Sequence, residues 1–158
     1  MALADESDKD RFNRFRDSFA REIAEQQKVM AAITTMASAL IALPILFFKD
    51  IFKETVGRGE TLLSLVLIQP PLVRGAAYAG WLALVVAIFA ALMFTILAGR
   101  YIHNIYKYDY PPDYLDDPAT GQRDRNRLAF SMMGAVFAFL AGLGLMMAFI
   151  LTYAKATG

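Results

Sequence analysis

The stretch AYAGWLALVVAIFAALMFTILAG, residues 77–99, decides the fold. It contains no Asp, Glu, Lys, Arg or His. At about 1.5 Å rise per residue, a helix of this length crosses the roughly 30 Å hydrocarbon core of a bilayer. Small residues recur along it at every fourth position: Ala79, Ala83, Ala87, Ala91, Thr95 and Gly99. Four residues is close to one helical turn, so the series lies on one slowly drifting face and leaves a shallow groove there. In lipid, where apolar contact gains nothing from expelling water, such a groove lets another helix approach closely.

Two further blocks match this one on either side. They are VMAAITTMASALIALPILFF (29–48) and AFSMMGAVFAFLAGLGLMMAFILTY (129–153), both without charge. Length and apolarity predict three membrane helices at 29–48, 77–99 and 129–153. A soluble three-helix bundle would instead show polar outer faces. The expected class is therefore all-α, a polytopic membrane protein with three transmembrane helices and an amphipathic N-terminal helix. Its two parts are a charged cytoplasmic helix, 1–28, and a transmembrane domain, 29–158.

Residues 5–28 carry both signs of charge, and Phe12, Phe15, Phe19 and Ile23 recur at spacings of three and four. That makes one apolar stripe on a helix, suited either to docking on a partner or to packing within the protein. No Pro or Gly interrupts 11–28, so this helix is able to run directly into the first span. The first span is the most polar of the three, with Thr34, Thr35 and Ser38, and Pro44 predicts a kink near its far end. Its hydroxyls either bond their own helix or reach a neighbour; the second option makes Thr34, Thr35 and Ser38 candidates for lining a pore. The third span has small-residue stripes at Gly134-Ala138-Gly142 and Gly144-Ala148-Thr152, with four methionines as gap fillers.

The connections are less regular. Residues 49–76 hold a turn signal, Gly57-Arg58-Gly59, and a short apolar run at 62–68, too short to cross a bilayer. Residues 100–128 hold Tyr101, Tyr106, Tyr108, Tyr110 and Tyr114, which reads as an aromatic belt at headgroup level. The acids Asp109, Asp113, Asp116, Asp117 and Asp124 do not follow the alternating spacing of a calcium loop.

Positive residues favour the cytoplasmic side. The N-terminal segment has six and the second connection five, against four in the first connection and one, Lys155, near the C-terminus. The N-terminus is therefore predicted in the cytoplasm and the C-terminus outside.

Catalytic constellations are missing. The chain has no cysteine and one histidine, His103, and neither a G-x-G-x-x-G nor a Walker-type loop. The spans hold no ionisable group of the kind transporters and pumps place there. No enzyme activity, cofactor, metal or small-molecule substrate is expected, and a net charge of +1 gives no ground for nucleic acid. The expected partners are the lipid bilayer and either further copies of the chain or other membrane subunits. Self-association through the small-residue faces suggests a pore-forming or membrane-perturbing protein; the alternative is an accessory or scaffold subunit of a larger complex.

Residues 28–54, KVMAAITTMASALIALPILFFKDIFKE, resemble the first helix of small bacterial three-helix membrane proteins associated with phage-defence systems. The resemblance implies the bacterial inner membrane and an effector that acts on that membrane when triggered.

Overall fold

Proline marks the start of two of the three long helices. In a computed structural model, α1 runs Ala2–Leu46, α2 Pro71–Lys107 and α3 Pro118–Thr157. The structure describes residues 2–46, 66–67, 69–107 and 118–157, and side chains within 10–43, 66–67, 69–106 and 122–152. α2 and α3 each begin on a proline, whose fixed φ suits the first helical turn and whose missing N–H is not needed there. The carbonyl of Pro70 accepts from the Arg74 N–H at 3.0 Å, closing the first turn of α2. α1 is one continuous helix through the charged segment and into the apolar block, and it continues past Pro44 to Leu46.

The described elements are all helical, and α2 lies between the other two. Its packing against α3 is the more extensive; α1 and α3 meet only narrowly. The α2–α3 pair is antiparallel, with Gly80 against Met146, Leu84 against Gly142 and Tyr101 against Arg125. α1 is antiparallel to α2 as well, since Phe19 meets Tyr101 and Arg16 meets Tyr106.

The packed seam has a 3.5-residue period in all three helices. On α2 the buried positions are Ala77, Gly80, Leu84, Ala87, Ala91, Phe94, Ala98, Tyr101 and Ile105, alternating by three and four. On α1 buried Ile23, Met30, Ile33 and Ala37 interleave with half-buried Phe19, Gln26 and Leu40 in the same alternation. On α3 Leu128, Ala135, Gly142 and Phe149 recur every seven residues, with Met132, Phe139 and Met146 between them. A heptad of this kind keeps a seam facing its partner along a left-handed crossing of shallow angle.

The heptad explains what became of the four-residue stripe. At about 100° per residue, a step of four overshoots a full turn by about 40°, so the stripe crosses the seam instead of following it. Only its middle is packed: Ala87 and Ala91 are buried, Ala83 is half-buried, and Ala79, Thr95 and Gly99 are exposed.

α2 and α3 are both long and apolar enough to cross a membrane, over Pro71–Tyr106 and Gln122–Thr152. The core helix of a soluble protein would be mostly covered by its neighbours. Here the most apolar windows are only 28% and 22% buried. The apolar block of α1 is helical to Leu46, with side chains described only to Leu43. Most of the 62–68 run falls outside the described residues, but Val66 is buried against Ala77 and Phe149. Tyr108, Tyr110, Tyr114, Asp109, Asp113, Asp116 and Asp117 lie outside them too.

Candidate functional site: the outer helix faces and the charged end

The seam uses one side of each helix, so the outer faces are what the molecule presents. On α2 these carry Leu82, Val86, Phe89, Leu92, Met93 and Ile96, and on α3 Phe130, Phe137, Leu140, Ile150 and Leu151, all exposed. Phe89 is 66% and Phe137 65% accessible. Leaving a side chain of this size in water forgoes about 1.5–3 kcal/mol relative to burying it. Such faces, continuous over two helices, are therefore poor surfaces for water and good ones for lipid or a protein partner.

The outer face of α1 differs within its apolar block. It presents Ala31, Ala32, Thr35, Ser38 and Ala39, with Val29, Met36 and Leu43 beside them. Small side chains there let a neighbouring backbone approach. The threonine hydroxyls do not reach across to another helix: Thr34 Oγ1 donates to the Met30 carbonyl at 2.9 Å and Thr35 Oγ1 to Ala31 at 3.0 Å. Thr95 and Thr152 bond the carbonyls of Ala91 and Ala148 in the same way. These bonds satisfy the hydroxyls within their own helix and leave each side chain outwardly apolar. Among the described residues no charged, amide or Ser/Thr side chain is fully buried; the polar atoms within the packed region include those of Tyr101, Trp81, Arg16 and half-buried Gln26.

The remaining sequence candidates divide between core and surface. Gly142 is buried at the α2–α3 contact, Ala138 is half-buried beside the seam, and Gly134 is exposed with the Ala90 Cβ 3.9 Å from where its own would stand. Gly144 faces open space. Pro44 lies within α1, outside the described side chains. Of the N-terminal stripe, Ile23 is buried in the core, Phe19 and Phe12 are half-buried, and Phe15 is exposed and stacked on Phe19 at 6.1 Å. The inner part of that stripe thus packs within the protein.

The charged end of the bundle ties all three helices together. Phe19 of α1 meets the Tyr101 ring edge-on at 5.4 Å. Arg125 of α3 donates from Nε to the Tyr101 hydroxyl at 3.2 Å and holds its guanidinium carbon 5.6 Å from the Phe19 ring centre. The Arg16 guanidinium carbon lies 4.6 Å from the Tyr106 ring centre, and the Tyr106 hydroxyl donates to Asp17 Oδ1 at 3.3 Å. Cation–aromatic contacts of this kind are worth about 0.5–2 kcal/mol, more when desolvated. Tyr101 is 2% exposed, so it is a core residue and not part of a headgroup belt. Its place on the α2 heptad, seven residues after Phe94, is the signal that marks it as core.

Gly80 is the packing residue outside the four-residue series. A Cβ built there would stand 3.2 Å from Met146 Cγ and 3.3 Å from Leu145 Cβ, and one built on Gly142 would stand 3.1 Å from the Gly80 carbonyl oxygen. These two glycines set the closest approach of α2 and α3. Reading the heptad back from Leu84 locates Gly80; a four-residue repeat begun at Ala79 passes it by.

Among the described residues no group of three His, Cys, Asp or Glu is placed to hold a metal ion. Comparison of the chain with family models, curated proteins and solved structures finds no match.

Proposed function

We propose that the chain is a non-enzymatic integral membrane protein that acts through association of its helices. In this reading 29–48, 77–99 and 129–153 each cross the bilayer, with the N-terminus in the bacterial cytoplasm and the C-terminus outside. The single observation that carries it is the contrast between outer faces. α2 and α3 turn out long runs of large apolar side chains, as lipid-facing helices do, whereas α1 turns out a patch of small ones, Ala31, Ala32, Thr35, Ser38 and Ala39, beside Val29, Met36 and Leu43. A second copy packing on this small face would form a homo-oligomer, and assembly of this kind would be the route to any change in permeability. The resemblance of residues 28–54 adds the idea of a triggered effector.

The test is the oligomeric state in native membranes, with Thr35→Leu and Ala39→Leu as variants that enlarge this face. The reading predicts a homo-oligomer that both variants break, and a fall in membrane potential on induced expression that they abolish. A monomer that leaves membrane potential unchanged would exclude it.

A second reading, an accessory subunit of a larger complex, is supported by the N-terminal half of α1. From Ala2 to Arg16 that helix continues about 20 Å beyond its contact with Tyr106, at about 1.5 Å per residue. It carries exposed Asp10, Arg11 and Arg14, a polar surface fit for a partner outside the membrane. A fixed heteromeric stoichiometry on mild solubilisation would favour this reading over the first.

A further inference from the structure

Where the uncharged runs of α2 and α3 end, the two helices leave a cleft of about 210 Å³ lined by Leu97, Arg100, Tyr101, Asn104, Asp124 and Arg127. Arg100 is the first charged residue after 77–99, and Arg127 is the last before the run that starts at Leu128. The register that sets Leu84 against Gly142 and Tyr101 against Arg125 brings Arg100 and Arg127 to the same height on their two helices. Both are exposed, and neither is ion-paired among the described residues. Asp124, half-buried, is the one carboxylate in the lining against two guanidiniums, so the cleft keeps an excess positive charge. Asn104 adds an amide, and Leu97 continues the wall toward the apolar run.

We propose that this cleft binds the phosphate of an anionic phospholipid head group. A guanidinium presents a planar fork of donors that fits phosphate oxygens, and two such forks from separate helices can grip one phosphate. Basic residues next to a span are drawn to anionic lipid. Leu97 below them lets the acyl chains follow the helix pair into the hydrocarbon. The inference rests on the membrane reading above. The same donors would suit free inorganic phosphate, and the height of the cleft at the edge of both uncharged runs favours the lipid.

The experiment places the full chain in phosphatidylcholine nanodiscs containing a minor fraction of phosphatidylglycerol and counts retained lipid by native mass spectrometry. One phosphatidylglycerol per chain is expected, well above its share of the disc. Combining Arg100→Gln with Arg127→Gln should weaken retention roughly tenfold or more, as expected on losing charge-assisted hydrogen bonds. Combining Arg11→Gln with Arg14→Gln removes the same charge from the N-terminal half of α1 and should leave retention unchanged. Equal retention in all three proteins, or equal loss in both variants, overturns the proposal. Should the glutamine pair fail to fold by circular dichroism, Arg100→Lys with Arg127→Lys keeps the charge but loses the fork. Reduced retention then supports the proposal, and wild-type retention overturns it. Inorganic phosphate displacing the lipid at micromolar concentration would assign the cleft to soluble phosphate instead. A chain that stays in water and never enters the discs refutes the membrane reading itself, whereas insertion without selective retention refutes only the cleft.

Discussion

Gly142 and Gly144 sit two residues apart on α3 and should respond oppositely to the same change. A Cβ on Gly142 would stand 2.8 Å from Leu84 Cγ and Cδ2 and 3.1 Å from the Gly80 carbonyl oxygen. Leu84 is fully buried, so its side chain has little room to turn away, and the carbonyl belongs to a helix backbone that cannot shift alone. Overpacking of this kind costs about 1–3 kcal/mol. A Cβ on Gly144 meets nothing within 4 Å. Both Gly→Ala variants gain about 1 kcal/mol of helix propensity, so their difference isolates the contact. Gly142→Ala should therefore be less stable than Gly144→Ala by about 1–3 kcal/mol. The assay is unfolding in mixed micelles with rising dodecyl sulfate, followed by far-UV circular dichroism. Leu84→Ala on its own should cost about 2–5 kcal/mol. In the Gly142→Ala background it should cost less, because it removes the clashing Cγ and Cδ2; a double-mutant cycle reads this as favourable coupling. Equal stability of Gly142→Ala and Gly144→Ala, or zero coupling between Leu84 and Gly142, would refute the packing described for α2 and α3.

Three further outcomes follow from the same geometry. Ala87→Leu, at a fully buried position facing the other helices, should destabilise the isolated chain by about 1–3 kcal/mol in the same micelle assay, before any question of assembly arises. Tyr101→Phe removes the hydroxyl that accepts from Arg125 Nε; because Arg125 is exposed and water can replace the bond, it should cost about 0.5–1.5 kcal/mol and loosen α3 from α2 at the charged end, measured as faster amide exchange near Arg125. Thr34→Val and Thr35→Val lose only a bond to their own helix, so each should change stability by less than about 1 kcal/mol in that assay.

Uncharged length made α2 and α3 legible from sequence, because a run with no charge over that distance has few other uses. Where those two helices start was not legible: Pro71 and Pro118 lie inside the connections read at 49–76 and 100–128. Which face packs was harder to read. Small residues at every fourth position of α2 suggested a single face, yet the packed face follows a 3.5-residue period. The two coincide only near Ala87 and Ala91. Ala79, Thr95 and Gly99 share the chemistry of those two alanines but rotate away from the partner helices. Tyr101 misled for a related reason. Tyr101 and Phe19 are far apart in the chain, and only the antiparallel register of α1 on α2 brings their rings together. Composition near a membrane edge favours reading a tyrosine as facing the head groups, whereas the heptad places Tyr101 inward. Gly80 shows that a buried glycine can escape a small-residue search when the period assumed is wrong.

The central claim is that the large apolar faces of α2 and α3 lie in lipid. The chain has no cysteine, so single cysteines can be introduced without background labelling. The most direct measurement is reaction of Phe89→Cys and Phe137→Cys with a water-soluble maleimide in native membranes, against Ser18→Cys on the exposed charged part of α1. The account predicts that positions 89 and 137 stay unlabelled until detergent is added, while position 18 labels once the maleimide is given access to the cytoplasmic side. Rapid labelling at 89 and 137 in intact membranes, or recovery of the folded chain in the aqueous fraction, would contradict it.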